Sequence, residues 1–205
     1  VRHAVIVSCM VVLVLDPRWP DMIPVEVLNQ IRGPVTYTGD VPAHARSLPR
    51  TDTTDTTAEP WLVTTDESVA PADAEIIRVP SLDDPVYQAV RVMHAARTRG
   101  EWEQAMTHTS LLPYLREEAA ELAEAIEQEA SEEELLTELS DVLLQVLFHS
   151  EIASERGAFS FPDVAGAFVA KMRSRAPYIF DGSTGPVDIE TQDRLWAEGK
   201  AREKH

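Results

Sequence analysis

Glu118, Glu121, Glu138 and Asp141 are the residues of this chain whose types and spacing point most directly to chemistry. Within each pair the two carboxylates are three residues apart, so on a helix both lie on one flank about a turn from each other. Sixteen residues separate Glu121 from Glu138, room for one helix to end, turn and give way to a second. From Glu117 to Asp141 there are eleven carboxylates and no Lys or Arg. Such a run is ordinarily a solvated face, and Glu124, Glu127, Glu129, Glu132 and Glu133 fit that description. The four named carboxylates instead flank the apolar stripes of their helices, so antiparallel packing brings them to one seam. Two unit charges about 4 Å apart repel by roughly 4 kcal/mol at an effective dielectric near 20. A fold tolerates that seam if the groups protonate or a cation lies between them. An all-oxygen donor set is hard and favours Mg²⁺ or Mn²⁺ over zinc. A carboxylate-bridged iron centre expects Glu-x-x-His pairs, and neither pair contains His. Glu117 points further out, toward a supporting or base role or none. His149 falls on the same flank two turns after Asp141 and reads as a hydrogen-bonding structural residue.

The elements that must position these groups are helical. Pro85, behind Asp83 or Asp84 as cap, opens a helix with Val86, Val90 and Met93 on one face and Gly100 as its stop. The next helix, about Ser110 to Glu129, carries the stripe Leu111, Leu115, Ala119, Leu122 and Ile126. Ser131 and Glu134 form a capping-box pattern ahead of Leu135, Leu139, Val142, Leu143 and Val146. Ser160 with Asp163 starts a helix bearing Val164, Phe168 and Met172 that must end near Pro177, and a last helix starts about Asp188. Amphipathic helices with short connections make a bundle.

Residues 1 to about 80 have a different grammar, that of a small α/β unit. Ala4 to Leu15 is an apolar run behind Arg2 and His3, rich in Val and Ile and too short to cross a membrane as a helix. It predicts a buried strand in preference to a signal peptide. Pro24 starts a short helix with Val25, Leu28 and Ile31 as its apolar face, ended by Gly33; Val35–Thr38, Trp61–Thr65 and Glu75–Val79 read as strands. Between them, residues 41 to 60 form a loop with prolines at 42, 49 and 60 and the low-complexity stretch Thr51 to Thr57. No catalytic pattern is visible in this half.

The acidic spacing and its surroundings resemble the MazG-type nucleoside triphosphate pyrophosphohydrolases. Glu117-Glu118-x-x-Glu121 and Glu138-x-x-Asp141 match the family's EExxE…ExxD signature. Thr107-His108-Thr109-Ser110-Leu111 with Pro113-Tyr114-Leu115 resembles the approach to the first acidic helix, and Glu138 through His149 the second. Lys171, Arg175, Pro177 and Phe180 resemble the basic helix and its exit, and Trp196-x-x-x-Lys200 the closing helix. The resemblance covers roughly residues 86 to 204. The chain departs from the family's common pattern at Gly100-Glu101-Trp102-Glu103, where Cys-Pro-Trp-Asp is usual. It departs again at Ser174-Arg175-Ala176, where paired Arg and then His are usual, and at Ser140, where Gly is usual.

The resemblance implies a mainly α protein, with a MazG-like helical bundle over about 81–205 behind the α/β region of 1–80. It also implies a hydrolase that converts a nucleoside triphosphate to its monophosphate and pyrophosphate, in nucleotide-pool housekeeping. Glu118, Glu121, Glu138 and Asp141 would hold Mg²⁺ or Mn²⁺, with Glu117 beside them in the catalytic set. Lys171, Arg175 and Lys200 would contact phosphates, and Trp196 would stack on a base. Family members assemble as homodimers or larger. The competing reading is an acidic helical module that binds partners without useful turnover; retention of all four carboxylates weighs against it.

Length and charge set outer bounds. With 205 residues, the chain has room for one large domain or two smaller ones. A formal net charge of −17 repels phosphate, so nucleic acid and anionic membranes are poor partners. A single cysteine, Cys9, excludes an intrachain disulfide and a zinc site built on Cys pairs, and the expected compartment is the cytoplasm.

Overall fold

β-Branched residues dominate the apolar run, and in the computed structural model its Val11–Val14 segment forms an inner strand of a parallel sheet. The structure describes residues 10–48 and 58–203. The start of that run, with Cys9, and the Thr51 to Thr57 stretch lie outside the described residues. Strands β1 (Val11–Val14), β2 (Val35–Tyr37), β3 (Trp61–Thr64) and β4 (Glu75–Arg78) align in the order β2-β3-β1-β4, every pairing parallel. Val11 registers with Trp61 on one side and with Glu75 on the other. A strand with neighbours on both edges and cover on both faces reads as a continuous apolar run, and all four residues of β1 are buried. Val12, Leu13, Leu15, Val41, Val63 and Val79 form the centre of this core.

Helix α1 (Val25–Leu28) lies between β1 and β2, and it corrects one expectation. Its buried positions are Val27 and, beyond its end, Ile31, whereas Val25 and Leu28 face solvent. Of the expected Val25, Leu28 and Ile31 face only Ile31 is buried, and Val27, four residues before it, takes the place of the other two. Asp16, at the end of β1, is buried. Burial pushes its pKa up, but hydrogen bonds from the side chain and backbone of Arg18 outweigh that and hold it low. Arg18 also donates to the Ser81 carbonyl at 2.8 Å and lies over the Tyr87 ring at 3.7 Å.

The chain divides into two compact units at Gln88/Ala89, within helix α2 (Pro85–Arg99). Asp84 caps that helix, its carboxylate accepting from the backbone N–H of Val86 and Tyr87. The second unit holds α3 (Glu101–Ala105), α4 (Leu112–Glu127), α5 (Glu132–Ser154), α6 (Phe161–Arg175) and α7 (Ile189–Arg202). Gly100 ends α2 as expected but also begins α3, which the periodicity did not predict. Ser131 and Asp188 cap α5 and α7 through hydrogen bonds from Glu134 and Thr191 backbone N–H. The core of this unit is Met93, Leu111, Leu147, Phe148 and Ile152. Buried Arg97 staples it, its Nε and Nη2 each donating to one Glu155 carboxylate oxygen at 2.6 Å while Nη1 donates to the carbonyls of Glu103 and Met106. Among the described residues no helix is long and apolar enough to cross a membrane.

The predicted stripes meet a different environment. Ile126, Leu139, Leu143 and Val146 are exposed, as is Phe168 on α6. The buried face of α5 is set instead by Gln145, Leu147, Phe148 and Ile152.

Candidate metal and substrate site

The turn between α4 and α5 decides whether the acidic pairs meet. At the end of α4, Glu129 adopts the left-handed conformation at φ 51°. Its N–H bonds the Ile126 carbonyl at 3.3 Å, and the Ala130 N–H reaches back to Ala125 at 2.9 Å. This is a Schellman closure with Glu where Gly is usual, and left-handed backbone costs a non-Gly residue about 1–2 kcal/mol. Four residues after α4 ends, Ser131 caps the start of α5, so the two helices run back along each other.

That packing brings Glu118 of α4 to Glu138 and Asp141 of α5, each offering an oxygen within 4.8 Å of the others. All three are partly buried. Burial and then the neighbouring carboxylates, Asp141 foremost, push the Glu118 pKa up. Glu138 is raised by burial and then by Glu121 and Asp141. Glu138 Oε2 is also buried with no protein partner. An unpaired carboxylate oxygen beside two more carboxylates is a donor set that fits a hard divalent cation. Glu121 stays exposed outside this set, although its charge is felt by both Glu118 and Glu138. Glu117 is exposed.

The basic residues lie on the other helix pair. Arg175 on α6 pairs with Glu203, its Nε 3.0 Å from Oε1, and its guanidinium lies 5.2 Å from the centroid of the Trp196 ring on α7. The helices approach closely there: a Cβ on Gly199 would sit 2.7 Å from the Ser174 carbonyl. Arg175 and Trp196 therefore serve first to hold α6 against α7. Lys171 and Lys200 are exposed and make no ion pair among the described residues. No hydrogen bond or ion pair among the described residues joins the basic set to the acidic cluster.

Beyond Asp141 the same face of α5 continues through Gln145 to His149. Gln145 is only 3% exposed, and its Oε1 has no protein partner. His149 Nδ1 lies 2.8 Å from His108 Nδ1, and Arg156 Nη2 lies 2.9 Å from His108 Nε2. The expectation of a hydrogen-bonded His149 is met on one ring nitrogen; its Nε2 is buried and unpartnered. Sequence reasoning passed over Gln145, because only tertiary packing reveals that a glutamine is buried.

Comparison with known proteins gives these residues a context. Residues 106–180 match the MazG nucleotide pyrophosphohydrolase domain, and residues 10–78 match the MazG N-terminal domain. The chain is 36% identical over 207 residues to a nucleoside triphosphate pyrophosphohydrolase of Mycobacterium tuberculosis and, equally, to one of Mycolicibacterium smegmatis. Each alignment covers 95% of this chain and 63% of the relative, so the chain spans less than two thirds of their length. It is also 45% identical over 104 residues to the nucleoside triphosphate pyrophosphohydrolase/pyrophosphatase MazG of Thermotoga maritima, covering 51% of this chain and 38% of that protein.

Proposed function

The chain belongs to the MazG family, and from that premise we propose that it hydrolyses nucleoside triphosphates to monophosphate and pyrophosphate, as a nucleotide-pool housekeeping enzyme. The observation that carries this reading is the convergence of Glu118, Glu138 and Asp141 within 4.8 Å, with a buried unpaired oxygen on Glu138. These three would hold Mg²⁺, with Glu121, one turn along α4 from Glu118, beside them. When bound, the cation neutralises phosphate charge and acidifies a water for attack. Glu117, exposed one position before Glu118, would orient an attacking water. Lys171 and Lys200 meet phosphate oxygens as point charges. Arg175 acts from its pair with Glu203, fixing the α6–α7 frame that presents both lysines, and Trp196, 38% exposed, would stack on the base.

The same reading includes a second copy of the chain. Leu136, Leu139, Leu143 and Val146 are spaced three, four and three apart along α5, and all are exposed. An apolar stripe of that length on a helix is a contact face. A homodimer buries it against its counterpart.

Product analysis tests the chemistry. Full-length chain incubated with ribo- and deoxyribonucleoside triphosphates is expected to release monophosphate and pyrophosphate with Mg²⁺ and nothing with EDTA. Asp141→Ala is expected to lose at least about a hundredfold in turnover while keeping a helical circular dichroism spectrum. Diphosphate and phosphate as products would overturn the bond assignment; full activity in Asp141→Ala would remove that residue from the site.

A further inference from the structure

Three buried side-chain polar atoms among the described residues have no protein partner: Glu138 Oε2, Gln145 Oε1 and His149 Nε2. All three belong to α5. Through Asp141 their positions are separated by three, four and four residues, which keeps them on one face of the helix. The cation accounts for Glu138. Two orphaned groups remain beyond it, and their hydrogen-bonding character can be worked out.

Arg156 can only donate, so His108 Nε2 accepts from it at 2.9 Å. A neutral His108 then carries its proton on Nδ1 and donates to His149 Nδ1 at 2.8 Å. His149 is left with its proton on Nε2. Burial and the neighbouring His108 ring depress its pKa, in keeping with that neutral form. The chain from Arg156 through His108 therefore turns His149 into a fixed donor, one helical turn from the Gln145 acceptor. The helix rise puts Gln145 about 6 Å and His149 about 12 Å along α5 from Asp141.

We propose that Gln145 and His149 bind the polar edge of the substrate's nucleobase, with His108 and Arg156 as positioning residues that set the His149 tautomer. The proposal rests on the hydrolase reading above: with phosphates held at the acidic cluster, the nucleoside runs along α5 toward these two residues. Every nucleobase carries an acceptor next to a ring or amino N–H, which matches one donor and one acceptor. The Gln145 amide can turn over to offer its NH₂ group instead. The pair thus requires a base while tolerating several.

Steady-state kinetics of the full chain with Mg²⁺ test this, using nucleoside triphosphates as substrates and inorganic tripolyphosphate as a base-free competitive inhibitor. In His149→Leu and Gln145→Leu, KM for nucleoside triphosphates is expected to rise about tenfold, as for loss of one buried hydrogen bond. The Ki for tripolyphosphate stays at the wild-type value, and kcat changes much less than KM. His149→Gln, which restores a side-chain N–H donor, is expected to recover most of the KM. Unchanged KM in both variants, with wild-type turnover intact, overturns the proposal and leaves the hydrolase standing. So does a parallel rise in KM and tripolyphosphate Ki, which would place the two residues at the phosphate end or in the fold. Absence of nucleotide turnover by the wild type overturns the hydrolase reading and this proposal together. If His149→Leu does not fold, Gln145→Leu decides, because it leaves the chain of Arg156, His108 and His149 untouched.

Discussion

At the scale of single residues, the acidic cluster leaves a signature in stability as well as in turnover. Glu118 and Glu138 both have pKa values raised above the ordinary Glu value of 4.5, by burial first and by neighbouring carboxylates second. A group that holds its proton more tightly when folded adds stability below its unfolded pKa, and that contribution is lost as pH rises through the folded value. In the metal-free chain the cluster therefore destabilises progressively from about pH 4.5 upward. Carboxylates held low by donors act on the other side of that range. Glu155, lowered by its hydrogen bonds from Arg97, and Asp163, lowered by Ser160, contribute stability that is lost only as pH falls below their ordinary values. His149, held below 6.5 by burial and then by His108, contributes stability that is lost as pH falls beneath that value, and it is common to wild type and carboxylate variants. The difference between wild type and Glu138→Gln isolates the cluster. Glu138→Gln is expected to raise the metal-free melting temperature more at pH 7 than at pH 5. Saturating Mg²⁺ stabilises the wild type, by about 2.7 kcal/mol at a hundred times Kd, and stabilises the variant less. Calorimetric melts at constant ionic strength measure both. A variant with the same pH profile as wild type would mean that the three carboxylates share no field.

At the scale of elements, helix starts were legible in the sequence because their signals are local. Asp84 ahead of Pro85, Ser131 and Asp188 each cap the helix they precede. The three-residue spacing likewise put Glu118, Glu121, Glu138 and Asp141 forward as a candidate cluster, of which Glu118, Glu138 and Asp141 converge. What escaped depends on contacts far apart in sequence. The turn that joins α4 to α5 uses Glu129 in a left-handed conformation, with no glycine to announce it. Helix α3 is five residues long, too short to show a period. Periodicity also finds an apolar face without saying what covers it. Leu139 and Leu143 carry the expected stripe of α5, yet they are 50% and 42% exposed in the isolated chain. Charge placed there separates the two outcomes. The double change Leu139→Glu, Leu143→Glu is expected to convert the proposed dimer to a monomer by light scattering while leaving helicity intact, since both side chains leave about half their surface open in the chain alone. If the wild type is already monomeric, and the double change alters neither mass nor solubility, the stripe is a bare surface and the dimer falls.

At the scale of the whole molecule, the chain joins a small parallel sheet to a helical unit, and its candidate site residues lie in the second. Net charge is the property of the whole that reaches the site. At −17 the chain repels the proposed nucleoside triphosphate substrate, itself an anion even with one Mg²⁺ bound. Locally, exposed Lys171 and Lys200 attract it. Range decides which dominates encounter. The Debye length is about 30 Å at 0.01 M salt and about 8 Å at 0.15 M, so at low salt the substrate meets the summed field of the chain, and at physiological salt only the charges near it. Screening should remove repulsion from distant carboxylates before it weakens contacts made by the two lysines. From this, kcat/KM is expected to rise a fewfold as ionic strength increases from about 0.01 to 0.15 M, with Mg²⁺ activity held constant, and then to level off. Enzymes that gather anionic substrates through a basic field show the reverse slope. A steep fall over the same interval would mean that Lys171 and Lys200 govern approach from a distance, and that the acidic surface is arranged to leave their path open.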